Sequence, residues 1–340
     1  MSAFSEIPVI DISGLGGSDP AEQKRVVAEI RRAAEEVGFL YITGHGVSEH
    51  LISNLKNAAQ AFFNLPHDEK MKVYIGKSQN HRGYVPEGEE VFASGTKDKK
   101  EAFDLSADLP ADDPDYRSGN PFLGPNQWPL DLPTFQRDVS AYYDAAFQLG
   151  MKLIRGFSEA LGLAPDALDQ HFKKPPSQLR LIHYPHDPDP AADAPGIGAH
   201  TDYEVFTLLL PTAPGLEVVN SEGEWIDAAP VDGAFVVNIG DMMEVWSNGA
   251  FRATSHRVRK VSEERYSFPL FFSCDYHTRV SPLPEFVSPT VPAKYEPIIA
   301  GEHLHAQTVQ TFSYLKQRLA KGELVLPEDR HALSSFGHKV

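Results

Sequence analysis

Residues 216–239 read LEVVNSEGEWIDAAPVDGAFVVNI, and they contain three short runs rich in apolar and β-branched side chains. The runs and the turn signals between them are Leu216 to Val219, Glu222-Gly223, Trp225 to Asp227, Asp232-Gly233 and Phe235 to Ile239. Short runs bounded by glycine-containing turns are typical of antiparallel strands. The stretch therefore predicts successive strands of a β-rich core.

The same pattern continues on both sides of this stretch. Further runs are Leu179 to Tyr184, Phe206 to Leu210, His256 to Val258 and Tyr266 to Ser273. Many short strands at regular spacing indicate a sandwich, a barrel or a jelly roll. We place this mainly β core at residues 176–280.

The residues on either side of the core favour helices. The predicted helices are Glu22 to Val37, Ser48 to about Phe63, Thr134 to Leu163 and Gln307 to Lys321. Residues 76–130 are rich in Gly, Pro and Asp and predict loops. We therefore expect an α/β N-terminal region at residues 1–175, the core, and a helical tail at residues 281–340, packed as one compact unit.

Composition narrows the class of protein. The 340-residue chain has a net charge of −16, which repels nucleic acids and anionic membrane surfaces at long range. Its single cysteine, Cys274, excludes an internal disulfide and any multi-cysteine metal site. No stretch approaches the length of an apolar membrane span. These features predict a cytoplasmic protein that acts on a small molecule and has no nucleic-acid, membrane or obligate protein partner.

A candidate metal site follows from the spacing of two histidines and one aspartate. His200 and Asp202 are two residues apart, so in a strand both side chains face the same way. His256 begins another predicted strand and can supply a third ligand. Two imidazoles and one carboxylate on one face of an octahedral ion leave three positions open, which suits iron(II).

Other histidines compete for this role. His303 and His305 are also two residues apart, but they precede a predicted helix and are expected to be solvated surface residues. His45 lies in a Gly-His-Gly turn, where a structural hydrogen bond is the simpler role. These residues leave His200, Asp202 and His256 as the preferred set.

An anion-binding pair follows nine residues after His256. Arg265 and Ser267 share one face of a predicted strand, and a guanidinium beside a hydroxyl suits a carboxylate. The alternative is a structural salt bridge from Arg265 to Glu263, Glu264 or Asp241. Since a buried arginine is costly without an anion, a partner of one kind or the other is required.

Nearly the whole chain carries motifs of one enzyme family. They are Ile7 to Asp11, Gly38 to Val47, Arg82 to Tyr84, His183 to Pro185, Gly198 to Asp202, Asn238 to Asp241, Trp246 to Gly249, Ser255 to Val258 and Arg265 to Ser267. With these motifs in this order, the chain resembles the iron(II)- and 2-oxoglutarate-dependent dioxygenases. The similar branch includes isopenicillin N synthase and the plant flavonoid and gibberellin oxidases.

The resemblance implies a fold and a set of roles. It implies a double-stranded β-helix, or jelly roll, with a helical N-terminal region and a C-terminal helix. It implies that His200, Asp202 and His256 bind iron(II), and that Arg265, Ser267 and Tyr184 bind 2-oxoglutarate. The plant members have Asn-Tyr-Tyr-Pro where this chain has Ile182 to Pro185, so the expected contact from Tyr184 is less secure than that from Arg265.

The implied reaction is oxidation of a small metabolite by O2, most simply its hydroxylation, with release of succinate and CO2 from 2-oxoglutarate. Eight residues are candidates to contact the substrate, with packing or a surface ion pair as the alternative for each: Arg82, Tyr84, Phe103, Asp104, Arg180, Ile182, Phe271 and Tyr276. An oxidase like isopenicillin N synthase, which does not use 2-oxoglutarate, stays open at this point. A non-catalytic metal-binding sensor and a zinc hydrolase are more remote alternatives.

Overall fold

The structure is a computed structural model that describes residues 3–91, 100–186, 195–259 and 262–326. Its α-helices are α1 Pro20–Glu36, α2 Glu49–Phe63, α3 His67–Lys70, α4 Pro114–Arg117, α5 Phe135–Ala160, α6 Asp241–Trp246, α7 Ala300–Thr311 and α8 Ser313–Ala320. Its strands are β1 Val9–Asp11, β2 Phe39–Thr43, β3 Gly83–Val85, β4 Glu101–Leu105, β5 Gln178–Tyr184, β6 Pro195–His200, β7 Phe206–Pro211, β8 Leu216–Val219, β9 Trp225–Asp227, β10 Phe235–Ile239, β11 His256–Arg259, β12 Arg265–Phe272, β13 Arg279–Val280 and β14 Ile298–Ile299.

Two sheets form the core. The larger has eight strands in the order β1-β2-β10-β7-β12-β5-β4-β3, and the smaller has four in the order β6-β11-β8-β9. Side chains from both sheets, including Phe39 and Val236 from the larger and Leu216 and Val218 from the smaller, meet in one hydrophobic cluster. The predicted double-stranded β-helix is confirmed, and the connections between its sheets bring the ends of β6 and β11 together.

The two faces of the larger sheet have different partners. On β5 and β12, the alternate residues Leu181, Phe268 and Leu270 pack into the main hydrophobic core with the helices. Arg180 and Ile182 point to the opposite face, where they line a cavity. Since side chains in a strand alternate between faces, one strand can serve the core and a site at once.

Helix α5 covers the core side of this sheet. It confirms the predicted long helix within two or three residues at each end. Gly150 of α5 lies against Phe272, because a Cβ there would come within 2.3 Å of the ring. The predicted cap of α2 is also confirmed, since the Ser48 hydroxyl accepts a hydrogen bond from the Leu51 N–H. Cys274 is fully buried, as expected of a small apolar side chain.

The prediction of one C-terminal helix from Gln307 to Lys321 was wrong. Phe312 has an extended backbone conformation that separates α7 from α8. It forms an antiparallel bridge with Glu90, and the Val91 N–H donates to the Thr311 carbonyl. These tertiary hydrogen bonds outweigh the helical preference of the segment, which local periodicity cannot reveal. Among the described residues, no helix is both long enough and apolar enough to cross a membrane.

Gly38 should be sensitive to substitution. Its φ of +76° is unfavourable for other residues, and a Cβ would lie 2.3 Å from the Arg252 carbonyl oxygen. Gly162 provides a matched control, because its φ is +80° but nothing lies within 4 Å of a Cβ there. We expect Gly38→Ala to lower the free energy of unfolding by about 2–4 kcal/mol, and Gly162→Ala by about 1 kcal/mol. Urea unfolding of both variants measures the difference, and equal losses would contradict the steric account.

Candidate metal centre and cosubstrate cavity

The three predicted ligands come together at the ends of two neighbouring strands. His256 is the register partner of His200 across the β6–β11 pair, and Asp202 follows β6 by two residues. The Asp202 Oδ1 atom lies 3.7 Å from His200 Nε2 and 3.6 Å from His256 Nε2. One ligand atom from each residue lies within 4.8 Å of the others, a spacing at which one ion can contact all three.

Both imidazole rings are held in place through their second nitrogen. His200 Nδ1 lies 2.8 Å from the Gly198 carbonyl oxygen, and His256 Nδ1 lies 3.2 Å from the Thr254 carbonyl oxygen. A carbonyl can only accept, so each Nδ1 carries the proton and donates it. Each Nε2 then presents a lone pair, which is the tautomer that a metal requires.

The Asp202 carboxylate is oriented by two residues of the larger sheet. Its Oδ2 atom accepts hydrogen bonds from the Thr207 hydroxyl and, at 2.7 Å, from the Asn238 amide. Thr207 and Asn238 are register partners on β7 and β10. Because both bonds go to Oδ2, the Oδ1 atom is left to face the imidazoles.

The charges of the triad match metal binding. Burial lowers the pKa of His200 to about 4, and the neighbouring His256 adds to this effect. Burial alone would raise the pKa of Asp202, but the two imidazoles outweigh burial and lower it well below its usual range. At neutral pH the site therefore contains an ionised carboxylate beside a neutral His200, a donor set that fits a divalent ion.

Arg265 has no carboxylate partner among the described residues, so the alternative of a structural salt bridge is not supported. Its side chain is buried, its Nε atom has no hydrogen-bond acceptor, and its guanidinium lies over the Tyr184 ring at 3.8 Å from the centroid. Glu264, one proposed partner, instead binds His183 at 2.8 Å. Burial lowers the pKa of Arg265, and the only interaction that counters this comes from Tyr184. A buried guanidinium of this kind fits an exogenous carboxylate.

Ser267 lies beside Arg265 on the same strand face and pairs in register with Ile182. Ile182, Phe271 and Arg180 line a cavity that also includes His200 and Asp202 and encloses about 790 Å³ of empty space. Arg265 and Ser267 are not among the side chains lining this cavity, and lie along the same sheet face from it. Metal triad, anion-binding pair and cavity thus share one side of the larger sheet.

Of the eight candidate substrate residues, Arg180, Ile182 and Phe271 line the cavity. Asp104 lies behind it and binds Arg180 through two contacts of 2.7 Å. The others lie outside the cavity lining: Arg82 donates to the Phe122 carbonyl, the Tyr84 hydroxyl donates to Glu101, and Phe103 and Tyr276 pack in or against the main core. The structural alternative that the sequence offered describes these four.

A buried ion network forms one wall of the cavity. Arg180, held by Asp104, also contacts Glu90 at 2.6 Å, and Glu90 contacts Lys100 at 2.5 Å. Sequence reasoning missed Glu90 and Lys100, because both lie in the region that predicted only loops. It also missed His81, Thr308 and Phe312, which line the same cavity.

Two of the competing histidines are resolved by their surroundings. The expectation that His303 is solvated was wrong, because it is fully buried in α7 with its ring 6.2 Å from that of Tyr203. His45 has the expected structural role, accepting from the Val47 N–H and contacting the Gly233 carbonyl oxygen. Only His200, Asp202 and His256 form a metal-binding cluster among the described residues.

Comparisons with known proteins agree with this geometry. Residues 175–273 match the model of the 2OG-Fe(II) oxygenase superfamily, and residues 7–131 match that of the N-terminal region of the non-haem dioxygenase in morphine synthesis. The chain is also 36% identical over 328 residues to a homoarginine-6-hydroxylase of Oryza sativa subsp. japonica, covering 92% of this chain and 99% of that protein. This protein belongs to the 2OG-Fe(II) oxygenase superfamily.

Other relatives of this dioxygenase extend the comparison. It is 33% identical to the 2-oxoglutarate-Fe(II) type oxidoreductase hxnY of Emericella nidulans, with 96% of each chain covered. Its structure resembles that of a full-length Neurospora crassa protein in complex with alpha-KG and thymine, with a TM-score of 0.75, 26% identity and coverage of 93% and 97% of the two chains. A 2OG-Fe(II) oxygenase family protein from Caulobacter crescentus gives a TM-score of 0.76 at 30% identity, covering 94% of this chain and 99% of that one.

The dioxygenase is thus an oxidoreductase that uses iron(II), 2-oxoglutarate and O2. The 2-oxoglutarate complexes of its relatives favour this activity over that of an oxidase working without the cosubstrate. Those relatives act on or bind different molecules, so the family does not name the substrate of this enzyme.

The hydrogen bond from Asn238 to Asp202 provides a direct test of the metal centre. Without the amide, the carboxylate keeps one of its two orienting donors and is free to rotate Oδ1 away from the imidazoles. We expect Asn238→Ala to weaken iron(II) affinity about 10–100-fold. Titration of the apoprotein with iron(II) under anaerobic conditions measures this. Asn54→Ala on the exposed face of α2 is the control, and unchanged affinity in both variants would contradict the orienting role.

Proposed function

We propose that His200, Asp202 and His256 bind the catalytic iron(II) of this dioxygenase. The observation that carries the proposal is the convergence of three prepared donor atoms, two imidazole Nε2 atoms and the Asp202 Oδ1 atom. Each donor residue has its remaining polar atom bound to protein, so the open side of each faces the same point. Three ligands leave coordination positions for 2-oxoglutarate and O2.

We further propose that Arg265 and Ser267 bind the distal carboxylate of 2-oxoglutarate. The support is the buried guanidinium with no acidic partner among the described residues. Tyr184 supports the guanidinium from below by stacking, a different contribution from the direct hydrogen bond implied by the resemblance. Ile182, which replaces the plant asparagine, offers no polar contact.

The protein residues contribute binding and orientation to the reaction. Bound iron(II) supplies the chemistry that couples O2 reduction to decarboxylation of 2-oxoglutarate and oxidation of the substrate. Asn238 and Thr207 fix the carboxylate ligand, and Arg265 fixes the direction from which the cosubstrate approaches. Ile182 and Phe271 line the cavity with apolar surface that excludes water from the reacting groups.

We propose hydroxylation of a small molecule as the reaction. The enclosed cavity suits a small molecule, and its relatives include proteins named as hydroxylases, among them homoarginine-6-hydroxylases. Membership of the isopenicillin N synthase-like branch and the division at residues 1–175, 176–280 and 281–340 stay predictions from sequence.

The experiment is anaerobic addition of iron(II) and 2-oxoglutarate, followed by O2 and measurement of succinate. A weak visible charge-transfer band is expected on mixing, and succinate is expected to form only when both components are present. A protein that binds iron(II) but neither binds nor consumes 2-oxoglutarate would overturn the proposed cosubstrate site and favour the isopenicillin N synthase-like alternative.

A further inference from the structure

Glu204 is a carboxylate in the cavity with no ion-pair partner among the described residues. It lines the cavity together with His200 and Asp202, and it follows Asp202 by two residues. In the part of the chain that the structure describes, no side chain donates a hydrogen bond to it, and the charge acting on it most strongly is the repelling carboxylate of Asp202. Burial and this repulsion raise the pKa of Glu204 to about 8.

The basic residues of the same cavity already have acidic partners. Arg180 binds Asp104 and Glu90, and Lys100 binds Glu90 at 2.5 Å. Arg180 acts on Glu204 only as a weaker, longer-range attraction. The described wall of the cavity therefore supplies no close cation to Glu204.

The reacting groups of the proposed function do not supply one either. The charges of iron(II) and Arg265 are balanced by those of Asp202 and a 2-oxoglutarate dianion. Once iron and cosubstrate are in place, Glu204 is the negative group left without a counterpart. An unpaired carboxylate in a partly desolvated cavity is costly, so its counter-charge is expected from the remaining component, the substrate.

The backbone holds Glu204 in this position. Its carbonyl oxygen accepts from the Met242 N–H, and the next N–H, that of Val205, donates to the Phe272 carbonyl. A Cβ on Gly240 would come within 2.2 Å of the Glu204 carbonyl oxygen, so α6 begins in close contact with this segment. The carboxylate is therefore presented from a fixed turn between β6 and β7.

We infer that Glu204 binds a cationic group of the primary substrate, a guanidinium or an ammonium, and that the enzyme selects small organic cations. The inference rests on the proposed function, because it places the substrate beside the iron centre. A guanidinium matches a carboxylate through two parallel hydrogen bonds, which makes it the better of the two ligands. Binding through Glu204 holds the cation near the metal triad and so selects carbon atoms close to the charged group for oxidation.

The test uses pairs of molecules that have nearly the same shape but differ in charge. The pairs are arginine and citrulline, homoarginine and homocitrulline, and lysine and norleucine. Each is titrated anaerobically into the enzyme loaded with iron(II) and 2-oxoglutarate, and binding is followed by calorimetry and by the change in the visible band. Succinate formation in air gives a second readout.

We expect at least one cation to bind about 10-fold or more tightly than its neutral counterpart. Glu204→Gln keeps the shape of the side chain and should weaken binding of that cation about 10–100-fold, while binding of the neutral partner changes little. Glu285→Gln removes the same charge from an exposed turn and is the control. Iron(II) and 2-oxoglutarate binding should be retained in both variants.

Each outcome decides the matter. Equal binding of cation and neutral partner, binding of neither while 2-oxoglutarate binds, or equal losses in both variants would overturn the role of Glu204. Absence of the visible band and of 2-oxoglutarate binding in the unsubstituted protein would overturn the proposed function first, and this inference with it.

Discussion

His256→Ala should reduce 2-oxoglutarate turnover by about 1,000-fold or more, the equivalent of about 4 kcal/mol. The substitution removes one of three proposed ligands and leaves a two-ligand site that holds iron(II) weakly. It also removes the ring that packs edge-on against Phe39, with centroids 5.3 Å apart. Succinate formation and the iron content of the anaerobically loaded protein measure the loss.

The control separates loss of metal from loss of fold. His277→Ala changes a histidine whose side chain is 76% exposed and should leave turnover and iron content unchanged. Circular dichroism should show that both variants are folded. A folded His256→Ala protein that retains stoichiometric iron(II) and normal turnover would show that the metal lies elsewhere.

Arg265→Leu should raise the KM for 2-oxoglutarate about 100-fold. The guanidinium is the proposed partner of the distal carboxylate, and a charge-assisted, two-point contact in a buried site contributes about 3 kcal/mol. Because the arginine has no acidic partner among the described residues, its removal leaves no buried carboxylate behind, and the thermal stability should be retained. Arg265→Lys keeps the charge but loses the two-pronged geometry, so its KM should fall between the two.

Arg259→Leu is a matched control for this prediction. Arg259 is close enough to act on the pKa of Arg265, but its own side chain is 46% exposed and pairs with Asp227 at 3.6 Å. Its removal takes away a nearby positive charge without touching the proposed carboxylate site. Equal changes in KM for Arg259→Leu and Arg265→Leu would indicate a general effect of charge rather than binding by Arg265.

The metal centre was largely predictable because its geometry is local. His200 and Asp202 are two residues apart, and the strand period alone places them on one side. The strand carrying His256 could be predicted as well, but its pairing with β6 rather than another strand could not. Register depends on contacts between segments distant in sequence, and the family resemblance supplied that link.

The residues that orient the ligands were harder to identify. Asn238 was assigned to a turn, although its amide binds Asp202 at 2.7 Å. Thr207 gave no signal, because a threonine in an apolar strand is a common feature of β structure. Both became visible only when β7 and β10 were paired, since their cross-strand contact creates the two-donor site.

The sequence by itself determined the class of fold, the His200, Asp202 and His256 set, and the strand face shared by Arg265 and Ser267, because each follows from periodicity or from an ordered series of motifs. Only the tertiary structure decided which charges meet in the cavity. It placed Glu90, Lys100 and Arg180 in one network, broke the C-terminal helix at Phe312, and left Glu204 without a partner among the described residues. Ion pairing depends on distance and burial, and neither can be read from spacing along the chain.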